Sequence, residues 1–404
     1  MAIAPSPAPV RPDMPLGVMP TPFYERLAAL NHYQSWENWN GYAAPSHLDT
    51  VEAEYFATRS QATLFDLTPM CKFHISGPDA ERVLNRLVTR DVRKLKPGRV
   101  GYAVWCDEEG GVIDDGTIFR YGPDDFIFCS QDPQLAWLND TAWGCDVSVR
   151  DVTGEIAALA LQGPTSCSIL KTLGVGGVET LRPFAVKDFQ LNGFDLRISR
   201  TGFTGDLGYE LWTDNQNALA LWDGIVEAAG LHGVRAMGSE ALEMVRIEAG
   251  FILPHTDFLP ANQLLRTNRA VTPFELGLDW LVSFDKPHYN GKRALLALSK
   301  TAPKKKLVMI EINGDKPADG SLIYHRKNKE VGMTTSALWS PTTKRNIALA
   351  WLEAPHYQDA AKDLWIEIYL QRELRWERLM KQVRIIDRPV FNHPRRSTTP
   401  PADF

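Results

Sequence analysis

Apolar positions change their spacing several times along the chain, and one change occurs twice. Phe73-His74-Ile75-Ser76-Gly77-Pro78 precedes Val83, Leu84 and Leu87; Leu159-Ala160-Leu161-Gln162-Gly163-Pro164 precedes Ile169, Leu170 and Leu173. In each copy a short apolar run stops at Gly-Pro, and apolar residues then recur at three- and four-residue intervals, which places them on one helix face. Proline near the first helical turn costs little, because its missing N–H would have no intrahelical partner there. The repetition predicts an internally duplicated strand-helix unit with helices over residues 79–87 and 165–173. Residues 111–120 alternate into the turn Tyr121-Gly122-Pro123-Asp124-Asp125, and Phe126-Ile127-Phe128-Cys129 returns, predicting a hairpin. Residues 239–251 read as a helix.

Past residue 300 the runs 307–312, 321–324, 331–336, 347–352 and 364–368 are short, β-rich and separated by turn residues, which predicts a small terminal β-barrel or sandwich. The chain thus divides into a flexible or surface-draped Ala/Pro-rich arm (1–20), a main domain of two related modules (21–300), a terminal β domain (301–390) and a tail (391–404) that reads like the arm. A length of 404 residues fits two or three packed units, enough for an enclosed site.

Composition narrows the class. With 44% hydrophobic and 23% charged residues and no apolar run near the ~20 residues a bilayer requires, membrane insertion is not expected. A net charge of -5 with scattered basic residues lacks the phosphate-neutralising stripe of a nucleic-acid binder; Lys304-Lys305-Lys306 reads as a solvated strand entrance. Five cysteines without a CxxC pair point to free thiols in a reducing cytoplasm, and no histidine spacing indicates a metal site.

Two segments carry candidate chemistry: GGVIDD (residues 110–115) and RTGFTGDLGYE (residues 200–210). Adjacent carboxylates are costly to bury unless a cationic or N–H-rich ligand compensates. In an alternating strand Asp114 and Asp115 face opposite sides, so one of them points into any site. A solvated hairpin edge and an ordinary glycine-rich turn would account for the same residues.

In order and spacing these segments, together with Leu64-Phe65-Asp66-Leu67, GPDAERVLNRLVTRDV, VRIEAG, FELGLDWLVSFDK and SALWSPTTKRNIALAW, resemble the glycine-cleavage T-protein (aminomethyltransferase) family over nearly the whole folded chain. The resemblance implies an α+β, T-protein-like fold of two related α/β modules plus a C-terminal β-barrel around a central tetrahydrofolate. It implies Asp115 as the catalytic carboxylate, with Tyr102, Glu210 and Phe251 on the folate; a Glu210 carboxylate suits two parallel N–H donors. Leu242 stands where the glycine-cleavage enzymes carry an arginine, Arg90 interrupts Val-Thr-Asn-Asp, and Trp36-Glu37-Asn38-Trp39-Asn40-Gly41 replaces another family stretch. These departures resemble the subgroup that demethylates small O-, S- or N-methylated compounds onto tetrahydrofolate. Under that reading His255, Asp257, Tyr33 or Arg90 would assist a leaving oxygen, and Trp36, Trp39 and Trp105 would cradle a cationic donor. The alternatives are a glycine-cleavage aminomethyltransferase, which needs a lipoyl carrier protein, and a non-enzymatic folate-binding accessory protein, whose cysteine motif is absent.

Overall fold

The computed structural model describes residues 17–266, 269–358, 362–398 and 400. Its strands, in chain order, are β1 (Ser35–Trp39), β2 (Tyr42–His47), β3 (Thr63–Asp66), β4 (Cys71–Ser76), β5 (Arg99–Cys106), β6 (Val112–Arg120), β7 (Asp125–Ser130), β8 (Ser148–Asp151), β9 (Ile156–Gln162), β10 (Val186–Leu191), β11 (Phe194–Ser199), β12 (Gly208–Asp214) and β13 (Arg235–Ala236). A terminal set follows: β14 (Lys305–Ile312), β15 (Leu322–His325), β16 (Lys329–Ser340), β17 (Arg345–Glu353), β18 (Leu364–Arg372) and β19 (Arg375–Ile386).

The duplicated Gly-Pro motif marks a duplicated topology. One sheet runs β5-β6-β7-β4-β8 and the other β10-β11-β12-β9-β3-β13, so β4 and β9 each lie beside the third strand that follows them. Each feeds a helix, Ala80–Leu87 or Ser166–Thr172, through a glycine of nearly the same conformation (Gly77 φ 125, Gly163 φ 128), a region that residues with a Cβ avoid. A Cβ on Gly163 would also stand 2.4 Å from the Gln61 carbonyl oxygen.

Strand alternation then assigns the faces. Outward residues of the first sheet (Phe73, Ile75, Trp105, Ile118, Phe128) pack beneath Leu84, Leu87 and Leu138 from its helices. Leu159, Leu161, Ile198, Tyr209 and Leu211 of the second pack beneath Ile169, Leu170, Leu221, Trp222 and Ile225. The inner faces meet through Val100, Phe119, Ile127 and Cys129 on one side and Ala158, Val186 and Trp212 on the other. The result is a helix-sheet-sheet-helix stack in which inward polar residues of both sheets converge.

The terminal strands close into a barrel, β14-β17-β16-β15-β18-β19, with β19 returning onto β14 at Met309↔Ile386. Ile310, Ile323, Ala348 and Ile366 fill it. Residues on the opposite face of the same strands, Leu307, Met309, Ile347 and Leu349, pack against Val104, Cys106, Val112 and Ile252, so the barrel docks on the first sheet next to β5 and β6. The helix Ser239–Glu248 fastens this joint. Arg246 bonds Asp257 (2.6 Å) and Ser336 (2.7 Å), and Glu248 takes Arg59 (2.6 Å) and the Ser340 hydroxyl (2.5 Å).

Several expectations shift. The helix predicted to residue 251 ends at Glu248, with Gly250 at φ 71 just beyond. The strand β19 was missed because RWERLMKQVRII is largely solvent-facing and charged, which hides the alternation. The tail is anchored where it is described: Arg395 pairs with the buried Asp206 (2.7 Å between Nη2 and Oδ2), and Arg200 donates to the carbonyls of Arg395 and Arg396 (both 3.3 Å). Most of the N-terminal arm lies outside the described residues; its last part pairs with β2, Met19 N donating to Gly41 O (2.7 Å). Among the described residues no helix is long and apolar enough to cross a membrane.

Candidate functional site

The two adjacent aspartates on β6 do diverge. Asp114 is fully buried: its Oδ1 accepts the Asp115 amide (2.8 Å), and its Oδ2 accepts the Asp132 amide (3.1 Å) and Gln134 Nε2 (3.2 Å). Burial, then the neighbouring Asp115 charge, hold its carboxyl well above the usual range, with the amides opposing. Its acceptors are thus committed within the protein.

Asp115 faces the second sheet. Tyr102 Oη, two residues along the neighbouring strand β5, donates to Asp115 Oδ2 at 2.5 Å, whereas Oδ1 is buried without a partner. Burial pushes the Asp115 carboxyl up to about 6, against the Tyr102 bond, and Asp257 adds a smaller push upward. Burial and the Asp115 charge in turn hold the Tyr102 hydroxyl well above its ordinary value, so it stays protonated and remains a donor. An orphaned carboxylate oxygen in the interior is expensive unless a ligand supplies N–H or O–H groups.

Glu210 comes from the opposing sheet, on β12 beside Ser199 and Ala160. Burial pushes its carboxyl up to about 7; the Thr201 hydroxyl, the Lys72 ammonium and the Ser199 hydroxyl hold it down. Lys72, fully buried on the inner face of β4, donates Nζ to the carbonyls of Leu67 (3.3 Å), Thr68 (2.9 Å) and Met70 (2.8 Å). Burial lowers that ammonium to about 8. Sequence reasoning passed over Lys72; the available signal was a lone lysine in the inward register of an apolar strand.

Two of the predicted folate residues, Tyr102 and Phe251, have aromatic partners. Trp280 tilts against Tyr102 (6.2 Å between centroids, 32°), and Phe251 stacks on Phe203 of the glycine-rich loop (5.2 Å, 14°). Arg246 Nη1 fixes the Phe251 carbonyl at 2.9 Å. Arg90 Nη1 donates to the Tyr102 carbonyl. An orphaned acceptor, two carboxyls balanced between protonation states and flat apolar surfaces fit an N–H-rich heterocycle such as a pterin.

Other candidates are placed elsewhere. Trp105 is completely buried against Phe128 (4.7 Å) on the outer face of β5, because alternation turns it away from Tyr102 and Asp115. It is core, and no donor can reach it from the Asp115 side. Trp36 stacks on Tyr24 (5.0 Å) in the N-terminal hairpin, and Trp39 packs on Phe65 (5.8 Å). Tyr33 lies exposed against His47 (5.2 Å). Asp257 is saturated by Arg246, Leu253 N, Thr335 and Ser336 and cannot serve as a leaving-group acid. His255 bonds both carboxylate oxygens of Asp132 (2.9 and 2.8 Å) from a left-handed backbone position, φ 66. Leu242 packs with Phe65, Ala160, Met237 and Trp39, so no guanidinium takes its place in that cluster.

Comparison with known proteins identifies the family. The GCVT N-terminal domain matches residues 23–286 and the glycine cleavage T-protein C-terminal barrel domain matches residues 305–389. These matches and the aminomethyltransferase relatives put the chain in the class of tetrahydrofolate-using one-carbon transferases. The chain belongs to the glycine cleavage T-protein family. An aminomethyltransferase of Geobacillus thermodenitrificans is 35% identical over 323 residues, covering 78% of this chain and 86% of the relative. One from Thermoanaerobacter pseudethanolicus is 32% identical over 324 residues, 79% and 85% of the two chains. The crystal structure of glycine cleavage system aminomethyltransferase T from Bartonella henselae superposes with a TM-score of 0.79 at 23% identity, covering 93% of this chain and 98% of that one.

Proposed function

We propose that this protein is a tetrahydrofolate-dependent aminomethyltransferase in which Asp115 is the catalytic carboxylate and Tyr102, Glu210 and Phe251 hold the folate. The observation that carries the reading is the unpartnered Oδ1 of Asp115, aimed inward beside a tyrosine that clamps the other oxygen. The aminomethyltransferase relatives, aligned over most of both chains, support the choice of one-carbon unit. Tetrahydrofolate, when bound, supplies the ring nitrogens that take up that unit. The protein's part is to orient and to place charge: Tyr102 fixes the Asp115 rotamer, Asp115 accepts an N–H and stabilises positive charge developing beside it, and the Glu210 carboxylate takes paired N–H donors. A lipoyl carrier protein is the partner this reading requires. The cysteines are unpaired and all but Cys145 are buried, which fits a reducing compartment such as the cytoplasm.

The apolar packing of Leu242 favours a second reading, demethylation of a small O-, S- or N-methylated compound. Product analysis separates the two. Methylene-tetrahydrofolate and ammonia formed only with an aminomethyl-lipoyl carrier are expected; 5-methyl-tetrahydrofolate from a small methylated donor would transfer the conclusion to demethylation. Neither product would overturn both.

Glu210→Gln is expected to weaken tetrahydrofolate binding about 10- to 100-fold, the range for losing a hydrogen-bonded charge, as read by calorimetry. It should not destabilise the fold. A buried carboxyl raised to about 7 contributes stability that is present below its unfolded pKa and lost as pH rises through 7. The variant should therefore melt at or above the wild-type temperature at pH 8, with the difference shrinking by pH 5.

A further inference from the structure

We propose that Arg388 is a carboxylate-binding residue of the central site, taking the carboxylate that one of the two reactants carries: the glutamyl tail of the folate or a small donor. The proposal rests on the folate reading above. Arg388 follows the last barrel strand, and its side chain runs across two glycines. A Cβ on Gly250 would lie 3.1 Å from Arg388 Cβ, and one on Gly277 would lie 2.3 Å from Nη2. The lane exists only because neither position carries a side chain.

At the end of that lane Nη2 donates to the Leu276 carbonyl (2.6 Å), and Nη1 is buried with no partner. Leu276 belongs to the apolar cluster against which Tyr102 packs, so Arg388 stands on the side of β5 that carries the Tyr102-Asp115 pair, with Asp257 and Asp279 the acidic groups that act on it. None of them satisfies it. Tyr102 donates to Asp115, and Asp257 is occupied by Arg246, Thr335, Ser336 and the Leu253 amide. Two buried arginines elsewhere differ: Arg59 is paired with Glu248 and Asp206, and Arg246 with Glu243 and Asp257.

A desolvated, unpaired cation is unfavourable until an anion arrives, and burial already pulls the Arg388 pKa down. The planar fork of a guanidinium matches a carboxylate through parallel N–H bonds. The neighbouring Trp280 face is exposed and apolar, which suits the uncharged remainder of such a ligand.

The test is calorimetric binding to wild type, Arg388→Met and Arg388→Lys, using tetrahydrofolate, tetrahydropteroate (the same ring system without glutamate), N-methylglycine and N-methylglycine amide. Wild type should favour the carboxylate-bearing member of one pair by about 10- to 100-fold. Arg388→Met should abolish that preference without changing affinity for the member lacking the carboxylate, and Arg388→Lys should restore part of it. A loss confined to the pterin pair assigns the glutamyl tail; one confined to the glycine pair assigns the donor. Equal loss for both members of a pair, unchanged binding in Arg388→Met, or a wild type that distinguishes neither pair would overturn the assignment. If wild type bound neither pterin, the folate reading would fail, and the glycine pair alone would decide Arg388.

Discussion

Asp115→Asn is expected to lower turnover by about 10²- to 10³-fold or more, the range seen when one preorganised electrostatic group is removed from an active site, while the protein folds and still binds tetrahydrofolate. Asparagine preserves shape and keeps an oxygen for the Tyr102 hydroxyl, so the loss would come from charge. With the carboxyl pushed up to about 6, wild-type kcat/KM should rise with pH through that value and then level off; the acid limb should vanish in the variant. The stability sign runs the other way. A carboxyl whose folded pKa is raised destabilises the fold as pH climbs through that pKa, so Asp115→Asn should melt at or above wild type at pH 8. Retained turnover, or a variant that fails to fold, would remove Asp115 from the role proposed for it.

Arg246→Met is expected to produce the largest loss of stability, about 3–5 kcal/mol, the range for stripping one partner from a buried ion pair. Both Arg246 and Asp257 side chains are completely inaccessible, and their 2.6 Å bond sits where the helix Ser239–Glu248, the loop after it and the barrel meet. Burial alone would lower the Arg246 pKa, but Glu243 and Asp257 more than offset it, leaving it raised. Without the guanidinium, Asp257 keeps its hydroxyl and amide donors and loses its countercharge. The Phe251 carbonyl also loses its donor, so weaker folate binding should accompany the lower denaturation midpoint. Arg246→Met combined with Asp257→Asn should recover part of the lost stability, because the uncompensated charge is gone. A double variant no more stable than the single would show that packing, and not the ion pair, fastens the barrel.

The duplicated strand-helix unit was legible because it rests on local rules: an apolar strand, a glycine in a conformation other residues avoid, a proline at the first turn, then helical spacing. The barrel was legible through β14 to β18, whose inward residues alternate, and illegible at β19, where charged side chains mask the period. Strand alternation put Asp114 and Asp115 on opposite faces without saying which enters the site; the resemblance to the T-protein family chose Asp115 and pointed to Glu210 at the end of the glycine-rich loop. Trp105 misled because an aromatic residue three positions from Tyr102 is close in sequence and on the other side of the sheet.

By itself, then, the sequence determined the two modules, the terminal β domain and the opposite facing of the two aspartates, since these depend on periodicities of a few residues. Tertiary structure alone decided which groups share the interior. Arg388 holds the Leu276 carbonyl from 112 residues away through a lane between two glycines, Lys72 stands near Glu210 because two sheets face each other, and Asp257 is neutralised by Arg246 where three elements meet. Those encounters depend on layer packing and barrel docking, which no local spacing encodes.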